Sequence, residues 1–134
     1  MATVMATFLP HNPKIALDAI AGKGRGIVAR VDLAASETVD VAATIDLDAA
    51  DCAALDGTPA GEYYFAHPTC EERGLLVLGI PSLLNHSDFP NVRVDWRFDP
   101  TLGWLAATTT LRPVKAGEEL LRTYACAPWF RVAS

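Results

Sequence analysis

Strand-forming segments a handful of residues long, each closed by a turn signal, recur along almost all of this 134-residue chain. KIALDAI (14–20) places apolar side chains at alternate positions, the period of a half-buried strand. GKGRG (22–26) makes a turn, and IVARVDL resumes the strand pattern. ETVDVAATIDL (37–47) is rich in β-branched residues. Asp48 can cap a short helix over 48–55, which Gly57 and Pro59 end. EYYF (62–65) and LLVLGI (75–80) read as strands on either side of the turn AHPTCEERG. NVRVDWRF (91–98) and GWLAATTTL (103–111) flank DPTLG and predict a β-hairpin. Ala116 and Gly117 turn the chain, and Glu118 and Glu119 open a last strand that runs toward Tyr124. About eight short strands and at most one helix predict a mainly β fold of several small sheets.

The length suggests one domain, and a chain of this size buries roughly two thirds of its unfolded surface, enough for a core without staples. Pro10 and Pro13 mark residues 1–13 as a lead-in to a domain over 14–130. No run approaches the ~20 apolar residues of a membrane span. The opening MATVMATFLPHNPK lacks the basic start and long apolar stretch of a secretory leader, so a cytoplasmic protein is expected. Cys52, Cys70 and Cys126 stand too far apart for a disulfide framework or a zinc cluster. They read as buried free thiols, and no metal is expected. The net charge of −5 argues against direct nucleic-acid binding and modestly favours a basic partner. The oligomeric state is open, and a homodimer is one arrangement the sequence allows.

Three short segments carry candidate chemistry. GKGRG lets a backbone approach a ligand closely, but its spacing is neither a dinucleotide fingerprint nor a phosphate loop, and a plain turn between strands explains it equally well. NHSDFPN (85–91) follows an apolar run with a compact set of hydrogen-bonding groups. Asn85-His86-Ser87 has the form of a glycosylation acceptor, which the expected cytoplasmic setting disfavours. Asn85 and His86 either fasten a turn in the core or face a ligand, since buried polar groups need partners. The third segment, AGEELLRTYACAPWF, ends in Trp129 and Phe130, two large aromatics that pack on the core or cover a flat ligand.

Taken in order, these segments resemble a SET-domain protein lysine methyltransferase of the compact bacterial or viral type. GKGRGIVA looks like the family's glycine motif, and NHSDFPN matches its N-H-S/C-x-x-P-N signature. LRPVKAGEELLRTYA matches L-R-x-I-x-x-G-E-E-L-x-x-x-Y, and EYYF takes the place of the aromatic strand before the central motif. The likeness covers about residues 14–130. It implies a SET-domain (β-clip-like) fold in which the C-terminal segment threads under a loop as a pseudoknot. It also implies S-adenosylmethionine as cofactor and, as partner, a basic protein bearing a target lysine. Lys23, Gly24 and Arg25 would hold the methionine part of the cofactor. Asn85 and His86 would lie along it, and Trp129 or Phe130 would cover its adenine. Tyr124 would be the active-site tyrosine, and Tyr63 and Tyr64 would line the lysine channel.

Methyl transfer from a sulfonium to an amine asks mostly for alignment of a neutral amine. A free lysine, with a pKa of about 10.4, is protonated at neutral pH. An apolar channel and a nearby sulfonium both lower that value, and the proton can leave through water. The chain departs from the family at Ser82-Leu83-Leu84, where R-F-x is common before Asn85, and at Thr123, where Asp is usual. Arg122 and Val94 stand where aromatics often occur, so the number of methyls added is not predicted. Arg122 also points to an altered or closed lysine channel. A catalytically silent SET-fold module that binds cofactor or a protein partner is therefore the alternative.

Overall fold

A computed structural model describes residues 12–124. The described strands are β1 (Ile15–Ile20), β2 (Gly24–Ala29), β3 (Thr38–Leu47), β4 (Tyr64–Ala66), β5 (Gly74–Val77), β6 (Asn85–His86), β7 (Val92–Asp99), β8 (Gly103–Thr110) and β9 (Glu119–Arg122). The helix α1 (Ala49–Leu55) is joined by two 3₁₀ turns, Pro59–Glu62 and Ile80–Leu83. Most of the expected lead-in, together with Cys126, Trp129 and Phe130, lies outside the described residues. None of the described helices is long and apolar enough to cross a membrane.

Two sheets form the fold. One has the order β1-β2-β9-β6 and the other β4-β5-β3-β8-β7. Every pairing is antiparallel except β6 with β9, where Asn85 lies opposite Leu121 and His86 opposite Arg122. The β7–β8 hairpin has the expected place. Asp99 Oδ1 accepts from the amides of Thr101 and Leu102, at 2.7 and 2.8 Å, and shapes its turn. Asp48 caps α1 reciprocally: its carboxylate accepts from Asp51 N at 2.8 Å, and Asp51 returns a bond to Asp48 N at 3.1 Å.

Several boundaries differ from the sequence expectation, each for a local reason. β2 begins inside the glycine segment, because Gly24 and Gly26 already pair with Ile20 and Asp18. The aromatic strand starts at Tyr64 rather than Glu62, since Pro59 opens a 3₁₀ turn that reaches to Tyr63. LLVLGI is strand only to Val77; Pro81 then sits in the second 3₁₀ turn, where a missing amide costs nothing. The two-residue β6 has no pattern of its own. Cys52 and Cys70 are free, as expected, but only half-buried.

Ile27, Leu120, Val39, Val92 and Val114 are almost fully buried and centre the main core. Val94 packs against this core and against a second cluster of Ala42, Val77 and Ala106. Two turns of like design face each other across a bridge between Leu33 and Val114. In each, a glutamate three residues on accepts from the first turn amide: Ala34 to Glu37 at 2.9 Å and Lys115 to Glu118 at 2.8 Å. The second turn delivers β9 to the site.

Segment 85–91 grips β9. Ser87 N donates to Arg122 O and Asn91 N to Leu121 O, both at 3.0 Å. The Asn91 side chain, 1% exposed, acts as a surrogate strand, accepting from Leu121 N at 2.7 Å and donating to Glu119 O at 2.9 Å. Thr123 Oγ1 adds a bond to Ser87 O at 2.7 Å. The last described strand is thereby held beneath the loop, the crossing expected of a pseudoknot.

Candidate active site

Because β2, β9 and β6 are neighbours, the three candidate segments meet on one sheet. Asn85 joins them. Its Nδ2 donates to Arg25 O at 2.8 Å and to Glu119 Oε2 at 2.7 Å. Both partners are acceptors only, which fixes the amide's orientation and leaves Oδ1 without a bond among the described residues. Lys23 Nζ pairs with Glu119 Oε1 at 3.0 Å, and the Glu119 side chain is only 13% exposed. Gly26 makes this packing possible: a Cβ there would lie 2.8 Å from Asn85 Nδ2 and closer still to Glu119 Oε2. Gly24 differs, with φ of +87° and open space where a Cβ would stand.

Tyr124 lies two residues beyond the end of β9. Its amide donates to His86 Nδ1 at 3.1 Å, so a neutral His86 carries its proton on Nε2 and donates it to Asp88 Oδ1, also at 3.1 Å. The His86 and Tyr124 rings lie 5.0 Å apart, and the tyrosine hydroxyl donates to Leu84 O at 3.3 Å. The candidate catalytic oxygen is thus anchored to the backbone just before the Asn-His pair.

Beside it opens a cleft of about 220 Å³ walled by Val92, Val94, Trp96 and Leu111, with Phe65 and Arg122 also lining it. Arg122 follows Leu120 on the inward face of β9, by the period of two. Its guanidinium carbon lies 4.4 Å from the ring centre of Phe65 and 4.1 Å from that of Tyr124. Burial lowers the Arg122 pKa to about 10, so the group remains cationic at neutral pH. Phe65 is held edge-on to Trp96 at 5.3 Å.

The aromatic of this segment that lines the cleft is Phe65; Tyr63 and Tyr64, expected along a lysine channel, do not line it. Successive strand residues face opposite ways, and Tyr64 turns toward α1, 5% exposed, with its hydroxyl donating to Asp56 Oδ1 at 2.9 Å. Burial and then that bond push its phenol pKa well up, which suits a structural hydroxyl. Tyr63 ends the 3₁₀ turn, 41% exposed, beside a separate hollow lined by Asp56, Gly57 and Glu62. Lys23, Gly24, Arg25, Asn85, His86 and Tyr124 do come together.

Glu119 and Asn91 are central to the site and were not singled out from the sequence. Glu119 stands in GEEL, but only the strand order shows that it faces Lys23 and Asn85 while Glu118 closes a turn. Asn91 was visible as the last letter of NHSDFPN, and its burial on β9 was not. Among the described residues no group of three or more metal-capable side chains occurs.

A β-rich domain that clasps its last described strand beneath an Asn-His loop, with a tyrosine at that strand's end, has the architecture of a SET fold. The SET-domain profile matches residues 24–125, and the chain belongs to the SET-domain family. No curated protein matches the sequence. Among solved structures, a Plasmodium falciparum candidate histone methyltransferase superposes with a TM-score of 0.70 at 21% identity, covering 87% of this chain and 96% of that one. An active polycomb repressive complex 2 in its basal state gives 0.69 at 20% identity, over 87% of this chain and 16% of that one. A humanized mutant of the Chaetomium thermophilum polycomb repressive complex 2, bound to the inhibitor GSK126, gives 0.67 at 19%, over 86% and 15%. At these identities the likeness is one of fold.

Proposed function

We propose that the protein is an S-adenosylmethionine-dependent protein lysine N-methyltransferase, acting in the cytoplasm on a lysine of a basic protein. The observation that carries this reading is the meeting of GKGRG, Asn85-His86 and Tyr124 on neighbouring strands of a SET domain. The residues present fit the cofactor's chemistry. Asn85 Oδ1 and the Glu119 carboxylate offer acceptors to an amino acid's ammonium, Lys23 offers a cation to its carboxylate, and Gly24 leaves room beside the backbone. When bound, the cofactor supplies the methyl group as a sulfonium electrophile.

The chain's own part is to bind and align. Lys23, Arg25, Asn85 and His86 form the wall on which the cofactor would lie, with Trp129 or Phe130 assigned to its adenine. Tyr124, anchored through Leu84 O and its own amide, holds an oxygen that orients a neutral amine and favours the cationic group passing it. Such alignment is worth roughly 7–11 kcal/mol, which leaves little need for a strong base. An acidic surface suits a lysine-bearing basic substrate. Tyr124→Phe is expected to lose about 10²–10³ in transfer of labelled methyl to lysine-rich peptides while keeping fold and cofactor affinity. Unchanged transfer would remove Tyr124 from the chemistry.

The Arg122 guanidinium favours a second reading. It stands between the rings of Phe65 and Tyr124, where an acceptor amine would otherwise meet aromatic faces. A SET-fold module that binds cofactor or a protein partner without turnover fits that arrangement. Cofactor binding by calorimetry, with no transfer to any basic protein offered, would establish it.

A further inference from the structure

Arg122 is a half-buried cation for which no described residue supplies a counter-ion. No described carboxylate lies within 4 Å of its guanidinium. All 16 aspartates and glutamates of the sequence fall within residues 12–124, so no side chain beyond them can supply the missing charge. Its Nε is fully buried and has no hydrogen-bond partner. Ring faces of Phe65 and Tyr124 pin the group at short range, yet they accept none of its N–H bonds in the plane where a guanidinium donates. Burying a lone charge costs several kcal/mol unless something pairs with it. The cleft that Arg122 lines contains no acidic residue. Its other charged member, Arg93, gives its Nε to Asp95.

We propose that this cleft is a carboxylate-binding site, taking a side-chain-sized acid with its apolar part against Val92, Val94, Trp96 and Leu111 and its anionic tip on Arg122. A volume near 220 Å³ suits one side chain rather than a drug-sized ligand. A flat carboxylate matches a guanidinium fork, whereas a phosphate dianion would need donors the apolar walls lack. The chain's net charge of −5 repels anions at range, so recognition rests on this contact. Because Arg122 also stacks on Tyr124, the acid would sit next to the place proposed for the acceptor amine. The inference does not depend on methyl transfer, and its test reads binding alone.

The probe is 4-methylpentanoate, titrated against the full chain while following the Trp96 indole signal by NMR, assigned with Trp96→Phe. The expected result is a saturable shift, with the isosteric neutral amide binding at least about tenfold more weakly. Arg122→Gln should abolish the preference for the acid, and Arg122→Lys should keep part of it. Should Arg122→Gln fail to fold, Val94→Phe fills the cleft with Arg122 intact and should block the shift. Equal binding of acid and amide, no saturable binding of the acid, or unchanged acid binding in folded Arg122→Gln or in Val94→Phe would overturn the site. Peptides bearing Glu or Gln, and peptides with a free or amidated C-terminus, then tell whether the acid is a side chain, a chain end or a small molecule.

Discussion

Replacing Gly26 with alanine adds one methyl group where the structure has no room for it. The new Cβ would overlap Glu119 Oε2 and approach Asn85 Nδ2 to 2.8 Å and Ile20 Cγ1 to 2.9 Å. Two relaxations are open. If β2 and β9 part, the overpacking costs about 1–3 kcal/mol. If the strands hold, the Asn85–Glu119 bond is broken, and a hydrogen bond to a charged group is worth about 1.5–3 kcal/mol. The less flexible unfolded chain returns about 0.4–1 kcal/mol to alanine. The net expectation is a loss of about 1.5 kcal/mol, which a urea slope of about 1.5 kcal/mol/M turns into a midpoint about 1 M lower. Gly24→Ala is the matched control: nothing stands within 4 Å, so only its left-handed backbone, at φ +87°, resists the change, at about 1–2 kcal/mol. The decisive comparison is a double-mutant cycle with Glu119→Ala, which removes the obstructing carboxylate. A coupling of about 1 kcal/mol or more is expected. If Gly26→Ala costs as much without Glu119 as with it, the crowded glycine is not what positions Asn85.

Three further outcomes follow from single side chains. Burial raises the Asp40 carboxyl from 3.8 to about 6, and its Oδ2 has no partner, so the ionised form is the unfavourable one in the fold. The unfolded chain gives up this proton first; stability from the neutral acid is full below about pH 4 and is lost as pH rises toward 6. The shift alone would correspond to about 3 kcal/mol, but Asp40 is only half-buried and solvent screening leaves about 1 kcal/mol. Asp40→Asn should therefore gain about that much at pH 7 and flatten the melting profile between pH 4 and 6, whereas a profile with the wild-type slope would assign that slope to another group. Asn91→Ala strands the Leu121 amide and the Glu119 carbonyl and should cost about 2–4 kcal/mol in urea melts; a cost below about 1 kcal/mol would mean that solvent replaces the side chain. Tyr64→Phe should lose about 1 kcal/mol with its bond to Asp56 and leave methyl transfer unchanged, while loss of transfer in a folded variant would assign Tyr64 to the substrate channel.

The strands were legible because apolar and β-branched residues favour extended chain and turn residues punctuate it; β1, β3, β7 and β8 stand where those signals put them, although none of the four buries strictly alternate residues. The aromatic segment shows where that legibility ends. A 3₁₀ turn starting at Pro59 moves the strand's start by two residues, and one residue decides whether Tyr64 or Phe65 faces the cleft. Local propensity does not fix that parity. β6 is two residues long and exists only because β9 lies beside it, so no local pattern could announce it. Arg122 was conspicuous as a departure from the family pattern, but a charged residue near a strand end ordinarily points to solvent. Its inward turn follows from Leu120 being in the core, a fact of packing.

The site and the fold are stabilised by the same bonds. Asn85 reaches Arg25 across 60 residues and Glu119 across 34, and His86 meets the Tyr124 amide across 38. None of these contacts lies within a hairpin that could form alone, so the site assembles when segment 85–91 closes over β9. Until that step, Asn85 and Glu119 remain solvated and are easily accommodated. Afterwards each is a half-buried polar group whose loss strands a partner. A substitution at Asn85, Glu119 or Asn91 must therefore alter stability along with any effect on ligand binding. Only variants whose contacts lie off the clasp, such as a change of the Tyr124 hydroxyl or the filling of the cleft at Val94, can separate chemistry from folding. For that reason Tyr124→Phe carries the test of the proposed reaction, and Val94→Phe stands behind Arg122→Gln in the test of the carboxylate site.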